Sequence, residues 1–313
     1  MIKVKNITKK YGSFTAVDNI NFEIKEGEIV GLLGANGAGK TTTMNMITGF
    51  IEQTDGNILI DDIDTLKKPK KAKGKIGYMP EGVPLYTDLT VKEFVSYMAE
   101  IKKVNKKIRK DKVSEVLKET GLMDVQNKLI KNLSRGYKQR VSLAGTLVSD
   151  PEVLILDEPT VGLDPKQITE IRSLIKRLGK NHTVILSSHI LSEVSQICDK
   201  VIIINKGKIV AIDTPKNLEE KVSNDNIVYV TIEDTENKIE SIKEKIESIK
   251  DIKFVEENDD KTKKYMITGK KGLDLRKNIF EVFAKENITI LEMKKVDTTL
   301  EDAFMKLIEG GEE

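Results

Sequence analysis

The sequence has no tryptophan, one cysteine and two histidines. The single thiol, Cys198, excludes an internal disulfide and a thiolate zinc cluster, and it reads as a small packed side chain. No run approaches the roughly 18 uncharged apolar residues that would span a bilayer, and the opening MIKVKNITKK lacks the apolar stretch of a secretory leader. The expectation is a chain made and kept in the cytosol. Net charge is also slight: 52 Lys and Arg oppose 50 Asp and Glu, so nothing global argues for a nucleic-acid partner. Two lysine-rich stretches, 67–75 and 102–112, lack interleaved aromatics and read as solvated faces. No specific nucleic acid is expected.

At 313 residues, the chain is long for one domain and comfortable for two. Ile20, Phe22 and Ile24 alternate with polar residues, as in a half-buried antiparallel strand. Residues 29–33, 153–156, 184–186 and 201–204 are continuous apolar runs, as expected of parallel strands covered on both faces. Helical periodicity dominates 89–147, with Val141, Ala144, Leu147 and Val148 on one stripe, and predicts a helical insertion over about 82–149. A polar break at 223–226 predicts a boundary between a first domain at 1–222 and a second at 227–313. Beyond it the pattern predicts a strand at 227–232, a charged helix through Ile249, strands at 252–255 and 265–268, a helix at 273–285 and a strand at 288–293. That order suggests a ferredoxin-like α+β domain, with a closing helix at 300–308.

The chemistry is concentrated in the first domain. Gly34, Ala35, Asn36, Gly37, Ala38, Gly39, Lys40 and Thr41 match the P-loop pattern between a strand and a helix. Glycines let backbone N–H groups turn inward around phosphate, and the helix dipole favours its charge. Lys40 offers a compact cation to the β and γ oxygens, Thr41 a hydroxyl ligand for Mg²⁺, and Thr42 continues the binding turn. Asp157 and Glu158 stand where the buried strand 153–156 ends, at the edge where open α/β sheets bind ligands. Asp157 is expected to hold Mg²⁺ directly or through water, and Glu158 to orient and deprotonate the attacking water. His189 follows another strand at the same edge and can donate a hydrogen bond to the γ-phosphate. His182 precedes that strand and reads as a surface histidine.

The set of 34–41, Leu133-Ser134-Arg135-Gly136, Leu156-Asp157-Glu158, Gly162-Leu163-Asp164 and His189, in this order, resembles the ATP-binding subunits of ABC transporters over roughly residues 1–220. The resemblance implies an α/β P-loop ABC cassette, with an antiparallel β subdomain, a mostly parallel core sheet and a helical insertion. It also implies Mg-dependent ATP hydrolysis. Tyr11 matches the aromatic that stacks on adenine in this family, although it also reads as a turn tyrosine. The family's cassettes dimerise head to tail, which implies that Ser134 and the Gly136 N–H grip the γ-phosphate held by a second copy. Ser134 also reads as an ordinary helix N-cap. Arg135 and Tyr137 replace a glycine and a glutamine of the family pattern, and Glu81 stands where glutamine is commoner; it is implied to approach the metal. These departures, with the tail ending Leu300-Glu-Asp-Ala-Phe304, resemble a bacterial branch, often exporters, whose transmembrane permease subunits are separate chains. The resemblance thus implies a cytoplasmic protein peripheral to the cell membrane. A soluble ABC ATPase acting on ribosomes or DNA is the alternative.

Overall fold

The computed structural model describes residues 2–82, 85–188, 190–222, 226–233, 239, 242, 246, 248–258, 262–269, 275–296 and 304. The chain divides into two compact units near Pro215, with residues 216–306 forming the second.

The first unit opens with β1 (Ile2–Tyr11) and β2 (Phe14–Ile24), which pair antiparallel. Then come β3 (Ile29–Leu33), α1 (Lys40–Ile47), β4 (Asp55–Ile60), β5 (Ile63–Asp64), α2 (Pro69–Gly74) and β6 (Ile76–Met79). Three insertion helices follow: α3 (Val91–Ile101), α4 (Arg109–Glu119) and α5 (Arg135–Leu147). The unit continues through β7 (Val153–Leu156), α6 (Pro165–Leu178), β8 (Thr183–Ser188), α7 (Leu191–Ser195), β9 (Lys200–Asn205) and β10 (Lys208–Asp213).

Two sheets result. One is antiparallel, in the order β2-β1-β4-β5; the other runs β10-β9-β3-β8-β7-β6 and is parallel except for the β9–β10 pair. Every residue of β3, β7 and β8 is buried, so their central residues run apolar without alternation, and β8 adds buried hydroxyls at Thr183, Ser187 and Ser188. Ile2, Ile7 and Ile24 of the antiparallel sheet share one buried cluster with Val30, Leu32, Ile155 and Ile185 of the parallel sheet and with Met44 and Ile47 of α1. Each such side chain removed from water contributes about 1.5–3 kcal/mol, and together they fix α1 between the sheets. The insertion helix α3 starts at a capping box, where Thr90 and Glu93 satisfy each other's backbone N–H. Val141, Ala144, Leu147 and Val148 are all buried, as their periodicity requires.

Helix α8 (Pro215–Val222) precedes the strands of the second unit: β11 (Asn226–Glu233), β12 (Ile249–Asn258), β13 (Thr262–Gly269) and, after α9 (Arg276–Lys285), β14 (Thr289–Val296). Their order, β12-β13-β11-β14, is antiparallel throughout and places the first strand between the third and the last, a ferredoxin-like arrangement. Ile239, Ile242 and Ile246 are buried with Val230, Ile267, Ile279 and Phe283. The predicted helix through Ile249 is one element too long, because Ile249 opens β12 opposite Gly269. The predicted closing helix lies outside the described residues except for buried Phe304. Among the described residues no helix is long and apolar enough to cross a membrane.

His182 requires a correction. It does stand at the amino end of β8, but it is buried, and its Nδ1 lies 2.7 Å from the Pro151 carbonyl oxygen. Chain reversal after α6 folds the imidazole inward, where a carbonyl can satisfy it.

Candidate functional site

The loop 34–39 joins β3 to α1, and its geometry depends on particular glycines. Gly37 and Gly39 have φ of 79° and 108°, left-handed values that other residues adopt at a cost. A Cβ on Gly34 would meet the Ile204 carbonyl oxygen and Ala38, so the loop lies tight against β9. The Lys40 ammonium is buried and donates to the Gly34 and Ala35 carbonyls at 2.8 and 3.3 Å. It therefore sits over its own loop, within the turn whose N–H groups and helix dipole suit an anion.

Asp157 and Glu158 follow β7 directly and are both buried. The Ser187 hydroxyl donates to Asp157 Oδ1 at 2.6 Å and accepts from the Glu158 N–H at 2.8 Å. One serine at the end of β8 thus fixes both acidic residues. Glu158 itself has φ 49°, a left-handed conformation that costs a non-glycine residue roughly 1 kcal/mol. Strain of this kind persists where the surroundings over-determine the backbone, here through Ser187. Beside it, the Tyr78 hydroxyl donates to Asn45 Oδ1 at 3.1 Å. Burial, reinforced by the Asp157 charge, pushes its phenol up to about 12.

A cavity of about 300 Å³ brings these parts together. Its walls carry Tyr11, the loop residues Asn36, Gly37 and Gly39, then Lys40, Thr41, Thr42, Glu81 and Glu158. Gly34, Ala35 and Ala38 complete the same loop without lining the cavity, Ala35 being exposed and the other two buried. Tyr11 is half exposed, with Lys9 Nζ 5.1 Å from its ring centroid. The cavity's oxygen donors, the Thr41 hydroxyl and the carboxylates of Glu81 and Glu158, are the hard ligands that Mg²⁺ takes, and Asp157, buried and next to Glu158 in sequence, is another of the kind. A second cavity of about 260 Å³ adjoins it across Glu81 and Glu158 and is lined by Arg135, Lys138 and Gln139 of α5.

Ser134 and Gly136 line neither cavity. Ser134 caps α5, accepting from the Tyr137 N–H at 3.4 Å, longer than the usual ~3 Å. Its hydroxyl is exposed and loosely engaged, whereas Gly136 is buried. His189 lies outside the described residues. Cys198 is buried, and burial raises its thiol well above the ordinary range, as expected of a packed side chain.

Three contributors were missed in the sequence. Phe14, 65% exposed, is a second aromatic on the cavity wall; its signal was an apolar ring two residues after the Gly12 turn. Ser187 was visible only as a polar residue closing an apolar strand. Glu193, buried on α7, accepts from the Thr160 hydroxyl at 2.5 Å and braces the segment after Glu158; nothing local in the sequence announced it.

Comparison with known proteins agrees with this geometry. Residues 17–161 match the family model described as ABC transporter. The chain is 38% identical over 314 residues, covering 99% of it and 98% of the relative, to the bacitracin transport ATP-binding protein BcrA of Bacillus licheniformis. It is 38% identical to the linearmycin resistance ATP-binding protein LnrL of Bacillus subtilis, over 74% of this chain and 75% of that one. A solved dimeric post-hydrolysis state of the ATP-binding cassette MJ0796, bound to ADP and Pi, matches with a TM-score of 0.62 and 30% identity, covering 68% of this chain and 98% of that one. These names favour transport over work on ribosomes or DNA. The chain therefore belongs to the ABC transporter family, as an ATP-binding subunit that hydrolyses ATP to power a transporter.

Proposed function

We propose that the chain works as one half of a head-to-tail pair, in which two copies enclose two ATP molecules and drive separate transmembrane permease subunits, in the export direction. The pair docks peripherally on the cytoplasmic face of the membrane through the helical insertion and the region of Glu81. In each copy, Tyr11 stacks on adenine, the N–H groups of 34–42 cradle the phosphates and Lys40 neutralises the β and γ oxygens. Thr41 and Asp157 would hold Mg²⁺, which when bound would offset phosphate charge, and Glu81 would approach it when the pair closes. Glu158 orients and deprotonates the attacking water, and His189 donates to the γ-phosphate. Ser134 and the Gly136 N–H close the site from the other copy.

One observation supports the paired arrangement above the others. Tyr11, the loop, Glu81 and Glu158 share a cavity that neither Ser134 nor Gly136 lines. A signature that lies off its own chain's nucleotide cavity supports a role on a partner's nucleotide, beside Ser134's own N-cap bond. The relatives named for bacitracin and linearmycin support the export direction, and the ferredoxin-like unit is read as a separable accessory domain.

The test mixes a Lys40→Ala chain with a Ser134→Arg chain. Each homodimer should be nearly inactive, and mixed dimers should regain one complete site and a turnover clearly above either homodimer. Labelled mixed dimers that form yet show no gain over either parent would reject the arrangement.

A further inference from the structure

The first turn of α5 is bolted to the segment that carries Glu158. Arg135 lays its guanidinium on Gly162, with Cζ and both terminal nitrogens in the space that a Cβ there would need. One residue on, Gly136 presses against the side chain of Gln167, in the first turn of α6. Gln139 then donates from Nε2 to the Pro159 carbonyl at 2.8 Å. Pro159 adjoins Glu158, and the segment it opens is closed on itself by the Val161 N–H to the Glu158 carbonyl and the Leu163 N–H to the Thr160 carbonyl. Asp164, which caps α6 by accepting from the Gln167 N–H at 2.9 Å, ends it. The turn that begins at Ser134 therefore grips the 159–167 segment at three points. Only one of these grips uses a charged, planar side chain laid on a bare backbone.

We propose that Arg135 is a positioning residue that ties occupancy of the Ser134 half-site to the placement of Glu158 in the same chain. The inference rests on the paired arrangement proposed above and adds a link within each copy. Ser134 engages the partner's nucleotide, Arg135 is its covalent neighbour, and the exposed Arg135 side chain lies against Gly162. Displacement of α5's first turn is thereby passed to a loop whose strained first residue is the base. Small misplacements of a reacting group cost large factors in rate, so this contact, beside the Gln139 bond to Pro159, makes each site's chemistry depend on the other site's occupancy. The guanidinium's flat shape matters as much as its charge, which lysine cannot reproduce.

The experiment uses the full chain as parent, Arg135→Gly, Arg135→Lys, Gly162→Ala and the Arg135→Gly/Gly162→Ala double variant, with thermal melts confirming that each folds. ATP turnover is fitted for kcat, KM and Hill coefficient, and ATP-dependent dimerisation is read by size exclusion in a Glu158→Gln background. Arg135→Gly should lower kcat about ten-fold with KM changed less than about two-fold. Its Hill coefficient should drop from about two toward one, while dimerisation persists. Arg135→Lys should behave like Arg135→Gly. Gly162→Ala strains a left-handed backbone, φ 70°, in either background, so the difference between backgrounds reads the clamp. Its loss of turnover should be at least about five-fold larger in the parent than in Arg135→Gly. Equal losses in both backgrounds, or unchanged kcat and cooperativity in Arg135→Gly and Arg135→Lys, overturn the clamp. Glu158→Gln in the parent separates the two levels. If it keeps turnover, the base assignment fails and the clamp with it; if it abolishes turnover while the Arg135 variants are normal, only the clamp fails.

Discussion

The two ends of one parallel sheet differ in how their polar groups are used. At the amino end of β3 and β8 the polar groups satisfy each other. Gly27 donates to the Thr183 hydroxyl at 3.0 Å, Ile29 donates to Asp199 at 2.9 Å, Lys200 pairs with Glu28 at 3.1 Å and Lys75 pairs with Asp61 at 2.8 Å. At the carboxyl end, Lys40 bonds carbonyls of its own loop, Glu158 holds a left-handed backbone, and Asp157's charge helps to raise Tyr78. Cavity size does not distinguish the ends, since the amino end has one of about 390 Å³ against about 300 Å³. What distinguishes them is that one end pairs cations directly with carboxylates, while the other gathers a cation, carboxylates and strained turns around one cavity. An end of the second kind suits a charged ligand, here a nucleotide.

The comparison would break most visibly at Glu158. Glu158→Gln should lower turnover ~10² to 10⁴-fold while leaving ATP binding and the ATP-dependent dimer intact. Near-normal turnover would mean that the strained carboxylate is not the base. Ser187→Ala comes next, because it removes both bonds that fix Asp157 and Glu158. It should cost about 1–3 kcal/mol of stability in urea unfolding and lower kcat about ten-fold. Loss of stability with unchanged kcat would show that Asp157 and Glu158 hold their places without it.

Much of this contrast was legible in the sequence, for physical reasons that also mark where reading stopped. Continuous apolar runs marked β3 and β7 at the observed residues and the centre of β9, because burial on both faces leaves no room for alternation. The strand-loop-helix context placed the phosphate loop, and chain order alone put Asp157 and Glu158 at the same edge. His182 was misread because its burial depends on Pro151, thirty-one residues away in sequence. Ser187, Glu193 and the clamp of Arg135 on Gly162 escaped for the same reason: their partners meet only in three dimensions. Ile249 was misassigned because the helical spacing of Ile239, Ile242 and Ile246 continues to Ile249, which nonetheless opens β12.

His182→Ala tests the amino end. It removes a buried bond and strands the Pro151 carbonyl, so it should cost about 1–3 kcal/mol in urea unfolding. ATP turnover per folded molecule should match the parent. A ten-fold fall in kcat with an unchanged unfolding midpoint would show that this end takes part in the chemistry and would erase the contrast.

The smallest expected effect lies at Asp61, where the amino end's neutralisation can be titrated. Its hydrogen bond with Glu152, followed by that with Lys75, holds its carboxyl well below the ordinary 3.8. A depressed folded pKa means that the ionised form is favoured in the folded chain, so its contribution is complete above the unfolded value and is lost as pH falls below it. The group is partly exposed, and solvent screening limits the contribution to about 0.5–1 kcal/mol. Asp61→Asn should therefore be less stable than the parent by that amount at pH 7 and at pH 5, with the gap narrowing only as pH falls through the region of 3.8 and below. Urea unfolding of both chains across that range, at low and high salt, reads the gap directly. High salt should shrink it at pH 7, as for any screened pair. A gap that stays constant down to the lowest pH at which both chains fold would mean that Asp61 acts through shape alone, leaving the amino end without the internal charge neutralisation that sets it apart from the nucleotide edge.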